Sequence, residues 1–245
     1  MDFLNLCEIE SKNVGFFEGF GYGIYRAENY SKANFRKREA LLIEGIHQYS
    51  SLVAENVFGK HPDSVFIPVM IKSMNINKQV NLGEITLRGS VISSDDFIHV
   101  RTNWMVSNKI SGGADVFLKK ISLNNHPPSA ETFIYGSDLF NILHLKKSPG
   151  GIIVKFKVNS FHHILKEHFR GYPVCPASLI IEFISDIVLN YGWNKNFNIE
   201  NTKFLNPLVP CNEYELDIKF SESMVSFFIT GPEKIRLTAG KLIYE

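Results

Sequence analysis

The chain has 245 residues, 44% of them hydrophobic, enough for a sizeable core in one large domain or two small ones. A formal net charge of +1 gives no whole-chain electrostatic case for binding nucleic acid or a membrane surface. Cys7, Cys175 and Cys211 are odd in number, widely spaced and without a CxxC pattern, which fits a reducing cytosol; with no signal-peptide pattern and no membrane-length apolar run, a soluble cytoplasmic protein is expected.

Residues 14–26, VGFFEGFGYGIYR, are aromatic and glycine-rich and are predicted as strand. Gly19, Gly21 and Gly23 fit neither GxGxxG nor GxxxxGK, so a twisted or bulged strand is favoured over a nucleotide loop. Lys32, Arg36, Lys37 and Arg38 form a short basic cluster, read as a solvated loop that could also meet an acidic partner. A helix is predicted over EALLIEGIHQYSSLVAENVF, ending near Gly59. Four strands follow it, VFIPVMIKSMNI, GEITLRGSVI, FIHVRTNWMV and ADVFLKKISL, rich in β-branched and aromatic residues and separated by turn residues.

Residues 124–150 read as a crossover linker with a short helix around 138–145. The plan then repeats: a strand over 152–158, a helix over 176–191, and strands in ENTKFLNPLVP, EYELDIKFS, MVSFFITG and IRLTAGKLIYE. Two similar units imply an internal duplication, with halves 1–123 and 151–245. An offset of 138 sets ALLIEGI on SLIIEFI, pairing Leu41 with Leu179, Ile43 with Ile181, Glu44 with Glu182 and Ile46 with Ile184. Apolar coincidences on buried helices are cheap, whereas a glutamate recurring inside the apolar run is not. The same offset puts Tyr30 where the second half has His168, and Gln48 where it has Asp186.

The stretch HFRGYPVCPASLIIE, 168–182, holds the densest chemistry. Gly171, Pro173 and Pro176 break any period, so its first half is a loop, and Pro176 suits the first turn of the helix that follows. The amides of Ala177 and Ser178 then lie among the unpaired donors at the positive end of the helix dipole, where an oxyanion can be held. His168 just upstream brings a base to the same neighbourhood, the pair that an enolate forming beside a thioester carbonyl needs.

This stretch resembles the hot-dog-fold 3-hydroxyacyl-acyl-carrier-protein dehydratases, whose motif runs His-Phe-Pro-Gly-x-Pro-x-x-Pro-Gly, followed by a helix with an acidic residue fourteen positions after the histidine. His168, Phe169, Gly171, Pro173, Pro176 and Glu182 stand in register; Arg170 and Ala177 depart from the usual Pro and Gly. The resemblance implies an α+β double hot-dog, two antiparallel sheets each wrapped around a long central helix. In homodimeric members each site takes the histidine from one hot-dog and the acid from the other. Polyketide-synthase dehydratase domains are similar but fused, with an Asp-x-x-x-Gln or His acid motif that Glu44 and Gln48 match with Glu for Asp, although the halves here stand in the opposite order. Transferred, the resemblance pairs His168 with Glu44 and leaves Tyr30 with Glu182 as a site without a base.

The implied reaction converts a 3-hydroxyacyl thioester to a trans-2-enoyl thioester, with neutral His168 removing the C2 proton and protonated Glu44 protonating the departing hydroxyl. Ala177 N–H would polarise the carbonyl, and Gln48, Gly171 and Ser178 would line the substrate. The partner implied is an acyl carrier protein bearing a phosphopantetheine-linked substrate; no metal or redox cofactor is needed, and whether the chain also forms a homodimer stays open. Other roles compete with these. His168 and Glu44 can be structural, and Glu182 a remnant or a structural acceptor. Cys175 is read as loop packing rather than a nucleophile, and His162 and His163 with His168 lack a fourth metal ligand. A hot-dog thioesterase, an enoyl isomerase and an acyl-binding pseudo-dehydratase without turnover remain as alternatives.

Overall fold

The computed structural model describes residues 9–10, 16–17, 20–26, 38–61, 63–76, 84–122, 138–168, 173–193 and 196–244. The chain divides into two compact units, made chiefly of Asn5–Asn124 and of Asn125–Glu245.

In the first unit, the short strands β1 (Ile9–Glu10) and β2 (Phe16–Phe17) pair with β3 (Phe20–Arg26). There follow helix α1 (Arg38–Phe58) and strands β4 (Ser64–Ile76), β5 (Glu84–Ser94), β6 (Ile98–Val106) and β7 (Lys109–Ser122). All pairings are antiparallel, in the order β1-β3-β5-β6-β7-β4. The two-residue alternation of a half-buried strand is plain in β6, where Val100, Thr102 and Trp104 are buried and Arg101 is exposed.

Helix α1 packs on this sheet against β3 to β7. Every residue from Ala40 to Ser51 is buried, so the helix needs apolar side chains on all its faces, and Leu42, Ile43, Ile46, Tyr49 and Val53 provide them. Fully burying one such Leu or Ile stabilises by roughly 1.5–3 kcal/mol. A Cβ on Gly89 of β5 would lie 2.9 Å from the Tyr49 ring, so a bare backbone is what lets helix and sheet approach this closely. The Ser50 and Thr102 hydroxyls meet at 3.3 Å across the same contact. Gly59 ends the helix at φ +86, a conformation that favours glycine.

The second unit contains β8 (Phe140–Ser148), β9 (Gly151–Val158), the single turn α2 (Ile164–Glu167), α3 (Ala177–Leu189), β10 (Asn198–Phe204), β11 (Glu213–Ser221), β12 (Met224–Thr230) and β13 (Arg236–Ile243). Its antiparallel order is β10-β13-β12-β11-β9-β8. On α3 the residues 178–185 are all buried, and the Phe183 ring lies 4.4 Å from Phe140 and 5.0 Å from Phe156. The two units share one topology: a first strand, a helix, then four strands whose first member lies at the opposite end, β3-β5-β6-β7-β4 in one and β9-β11-β12-β13-β10 in the other.

One expectation is corrected. The segment predicted as linker with a short helix around 138–145 is strand β8, hydrogen-bonded to β9 from Phe140 to Ser148. The hairpin turn is Pro149-Gly150, with Gly150 at φ +78, the positive φ required at the second central position of a type II turn. Because β8 is almost wholly exposed, its apolar residues never had to alternate, and their spacing mimicked a helix.

Candidate functional site

Helix α1 with Glu44 and the connection with His168 lie in different units and are built by different means. On α1, Glu44, His47, Gln48 and Ser51 are all buried, and their i, i+3, i+4, i+7 spacing puts them in one polar stripe along the helix. Gln48 Nε2 donates to Glu44 Oε1 at 3.1 Å. Burial holds His47 far below its ordinary range, to about 3, so its ring is neutral.

In the second unit the connection from β9 to α3 carries the histidines. Asn159 opens it as a side-chain turn: Oδ1 accepts the Phe161 N–H at 3.1 Å, and the Asn159 carbonyl accepts the His162 N–H at 3.1 Å. His162 Nδ1 accepts the Ile164 N–H at 3.3 Å, and α2 follows. His168 closes that turn, its N–H donating to Ile164 O at 2.8 Å. The ring is buried, and burial lowers its pKa to about 3, so the imidazole is neutral and able to accept a proton. His162 and His163 stack at 4.5 Å, and among the described residues no His, Cys, Asp and Glu cluster that could hold a metal ion is formed.

Helix α3 starts where the sequence places it. Pro176 is its N-cap with extended backbone, and the Leu179 and Ile180 amides both reach the Pro176 carbonyl at 3.1 Å. The Ala177 and Ser178 amides therefore have no acceptor within the helix and lie at its positive end. Ala177 is half-buried, Ser178 fully buried, and Glu182 buried one turn further on. Cys175 is a buried free thiol whose Sγ lies 3.8 Å from the Pro176 carbonyl; burial pushes its pKa up, which suits packing and opposes a nucleophilic role.

Gly171 and Phe169, with Tyr30, Lys32, Arg36 and Lys37 of the first half, lie outside the described residues. Two features escaped the sequence reading. His47 is three residues beyond Glu44 on the same face, a spacing visible in the sequence but masked by the apolar run around it. Tyr214 holds the loop beside Cys175, and nothing local in the sequence marks it.

Residues 144–241 match the family model of the ApeI-like proteins, described as ApeI dehydratase. The match takes in His168, Pro176 and α3, and it bears out, over that part of the chain, the resemblance to the hot-dog dehydratases. No curated protein matches the sequence. Among solved structures, an acyl-ACP thioesterase from Bacteroides thetaiotaomicron is similar at 11% identity and a TM-score of 0.57, over 93% of this chain and 98% of that one. The acyl-CoA thioesterase II TesB2 of Mycobacterium marinum is similar at 9% identity and a TM-score of 0.53, over 97% and 96%. The dehydratase heterocomplex ApeI:P from Xenorhabdus doucetiae aligns at 21% identity and a TM-score of 0.39, over 42% of this chain and 95% of that one. The two thioesterase likenesses show the fold alone, a hot-dog type in which antiparallel sheet packs on a long helix. Among the described residues no helix is long and apolar enough to cross a membrane.

Proposed function

We propose that this chain is a dehydratase that converts a 3-hydroxyacyl thioester on an acyl carrier protein into the trans-2-enoyl thioester, with His168 as the base and Glu44 as the acid. Neutral His168 takes the C2 proton; the electrons form the C2–C3 double bond; and the C3 hydroxyl leaves as water with the proton from Glu44. Gln48 orients the Glu44 carboxyl through the hydrogen bond to Oε1. The Ala177 amide receives the negative charge that gathers on the thioester oxygen, with Ser178 next to it in the chain, and the motif assigns Gly171 to substrate binding as well. His168 then returns its proton to Glu44 by way of solvent, which restores both groups.

The observation that carries this reading is the dehydratase family match over 144–241, which takes in the base and the helix start together. The burial of Glu44 and its bond from Gln48 support the acid role. A cytoplasmic setting and a role in fatty acid or polyketide-type biosynthesis belong to the same proposal. Purified protein incubated with a 3-hydroxyacyl phosphopantetheine thioester tests it by mass spectrometry. Loss of one water from the acyl group is expected. Hydrolysis of the thioester would make the protein a thioesterase, and binding without mass change would make it an acyl-binding protein.

A further inference from the structure

The amide that the reading above assigns to the oxyanion stands two residues beyond the Cys175 end of a chain of hydrogen bonds, and the far end of that chain is a phenol that the proposed reaction does not use. Tyr214, at the start of β11, is buried, with its ring 5.5 Å from Phe156. Its hydroxyl grips one residue twice, donating to Val209 O at 2.6 Å and accepting from Val209 N–H at 2.9 Å. The neighbouring carbonyl, Leu208 O, accepts the Cys175 N–H at 2.9 Å. Cys175 precedes Pro176, the N-cap of α3, and so the Ala177 amide follows directly.

The segment between β10 and β11 is fixed at its other end too, where the Leu205 and Asn206 amides reach Leu237 O at 2.7 and 3.2 Å. With Leu208 buried at 1% exposure, residues 205–209 form a backbone brace rather than a loose loop. Removing the phenol frees one end of that brace, and the error passes along backbone only two hydrogen bonds from the oxyanion donor. Burial keeps the Tyr214 hydroxyl protonated by raising its pKa, so the donor to Val209 O persists at any working pH.

We infer that Tyr214 is a positioning residue, which sets the Ala177 amide through Val209, Leu208 and Cys175. This rests on the dehydratase reading for its catalytic consequence, but not for the brace itself. Tyr214→Phe keeps the ring and deletes only the hydroxyl. Expected is a fall in kcat on the order of 10-fold with KM little changed, smaller than the ~10²-fold or greater loss from deleting an oxyanion donor outright. Amide hydrogen exchange at Cys175 should quicken in the same variant. Tyr244→Phe serves as control, since the buried Tyr244 hydroxyl has no hydrogen-bond partner among the described residues, and it should change neither readout. Unchanged kcat in Tyr214→Phe, or unchanged protection at Cys175, overturns the inference. If the wild-type protein dehydrates nothing, the reading of function falls and the exchange measurement alone decides the brace.

Discussion

Helices α1 and α3 occupy the same place in two units of one topology, yet they carry different chemistry. Helix α1 runs for 21 residues and buries Glu44, His47, Gln48 and Ser51 in one stripe. Helix α3 runs for 13 and buries Ser178, Glu182 and Ser185. The larger contrast lies ahead of each helix. In the second unit the connection 159–176 holds an Asn159 turn, a helical turn and the buried His168 before Pro176 starts α3. The corresponding stretch of the first unit, 27–37, is shorter and contains no histidine. The scaffold fixes where a helix lies, and the connection in front of it decides whether a histidine stands there; one fold can therefore carry unlike side chains at equivalent places.

The sharpest way to break this contrast is to remove the base. His168→Ala should lower kcat/KM for dehydration by roughly 10²–10⁴, the usual worth of a general base, and placing histidine at Tyr30 should not restore it. Retained activity in His168→Ala would erase the distinction between the units. Next in size is the packing that makes the helices equivalent. Ile43 is fully buried, so Ile43→Ala should cost about 2–5 kcal/mol in urea unfolding, and Ile184→Ala on α3 a comparable amount. A cost near zero at either position would show that its helix is not a core element.

Acid should act on both units through their buried imidazoles. The unfolded chain binds a proton at each of His47 and His168 near pH 6.5, whereas burial delays uptake in the folded chain to about 3. Protonation thus favours the unfolded state: stability from these groups is intact above about 6.5 and is lost as pH falls toward 3. Thermal melts at pH 7 and pH 5 should show a lower midpoint at pH 5, with a smaller difference in His47→Leu. Equal midpoints would mean that neither ring is buried in neutral form. The smallest effect is expected at the β8–β9 turn, where Gly150→Ala meets no neighbouring atom and should cost about 1 kcal/mol from its positive φ alone.

Much of this was legible because it is local. The apolar run and Gly59 mark α1 to within a residue, Pro176 marks the start of α3, and EYELDIKFS is β11 as it stands. The described end of the histidine connection, residues 173–176, was legible because Pro173 and Pro176 punctuate it. Strand β8 was not, since an exposed edge strand has no buried face to impose a period of two. Nor was the Tyr214 brace, whose meaning lies in two bonds to a backbone five residues away and a third that crosses to Cys175.

The central claim is that the acid comes from α1 and not from the helix that follows the histidine. Dehydration rates of Glu44→Gln and Glu182→Gln, measured side by side on one 3-hydroxyacyl thioester, test it most directly. The account predicts a loss of roughly 10²-fold or more from Glu44→Gln and most of the activity kept in Glu182→Gln. The reverse pattern, with Glu44→Gln active and Glu182→Gln dead, would contradict it.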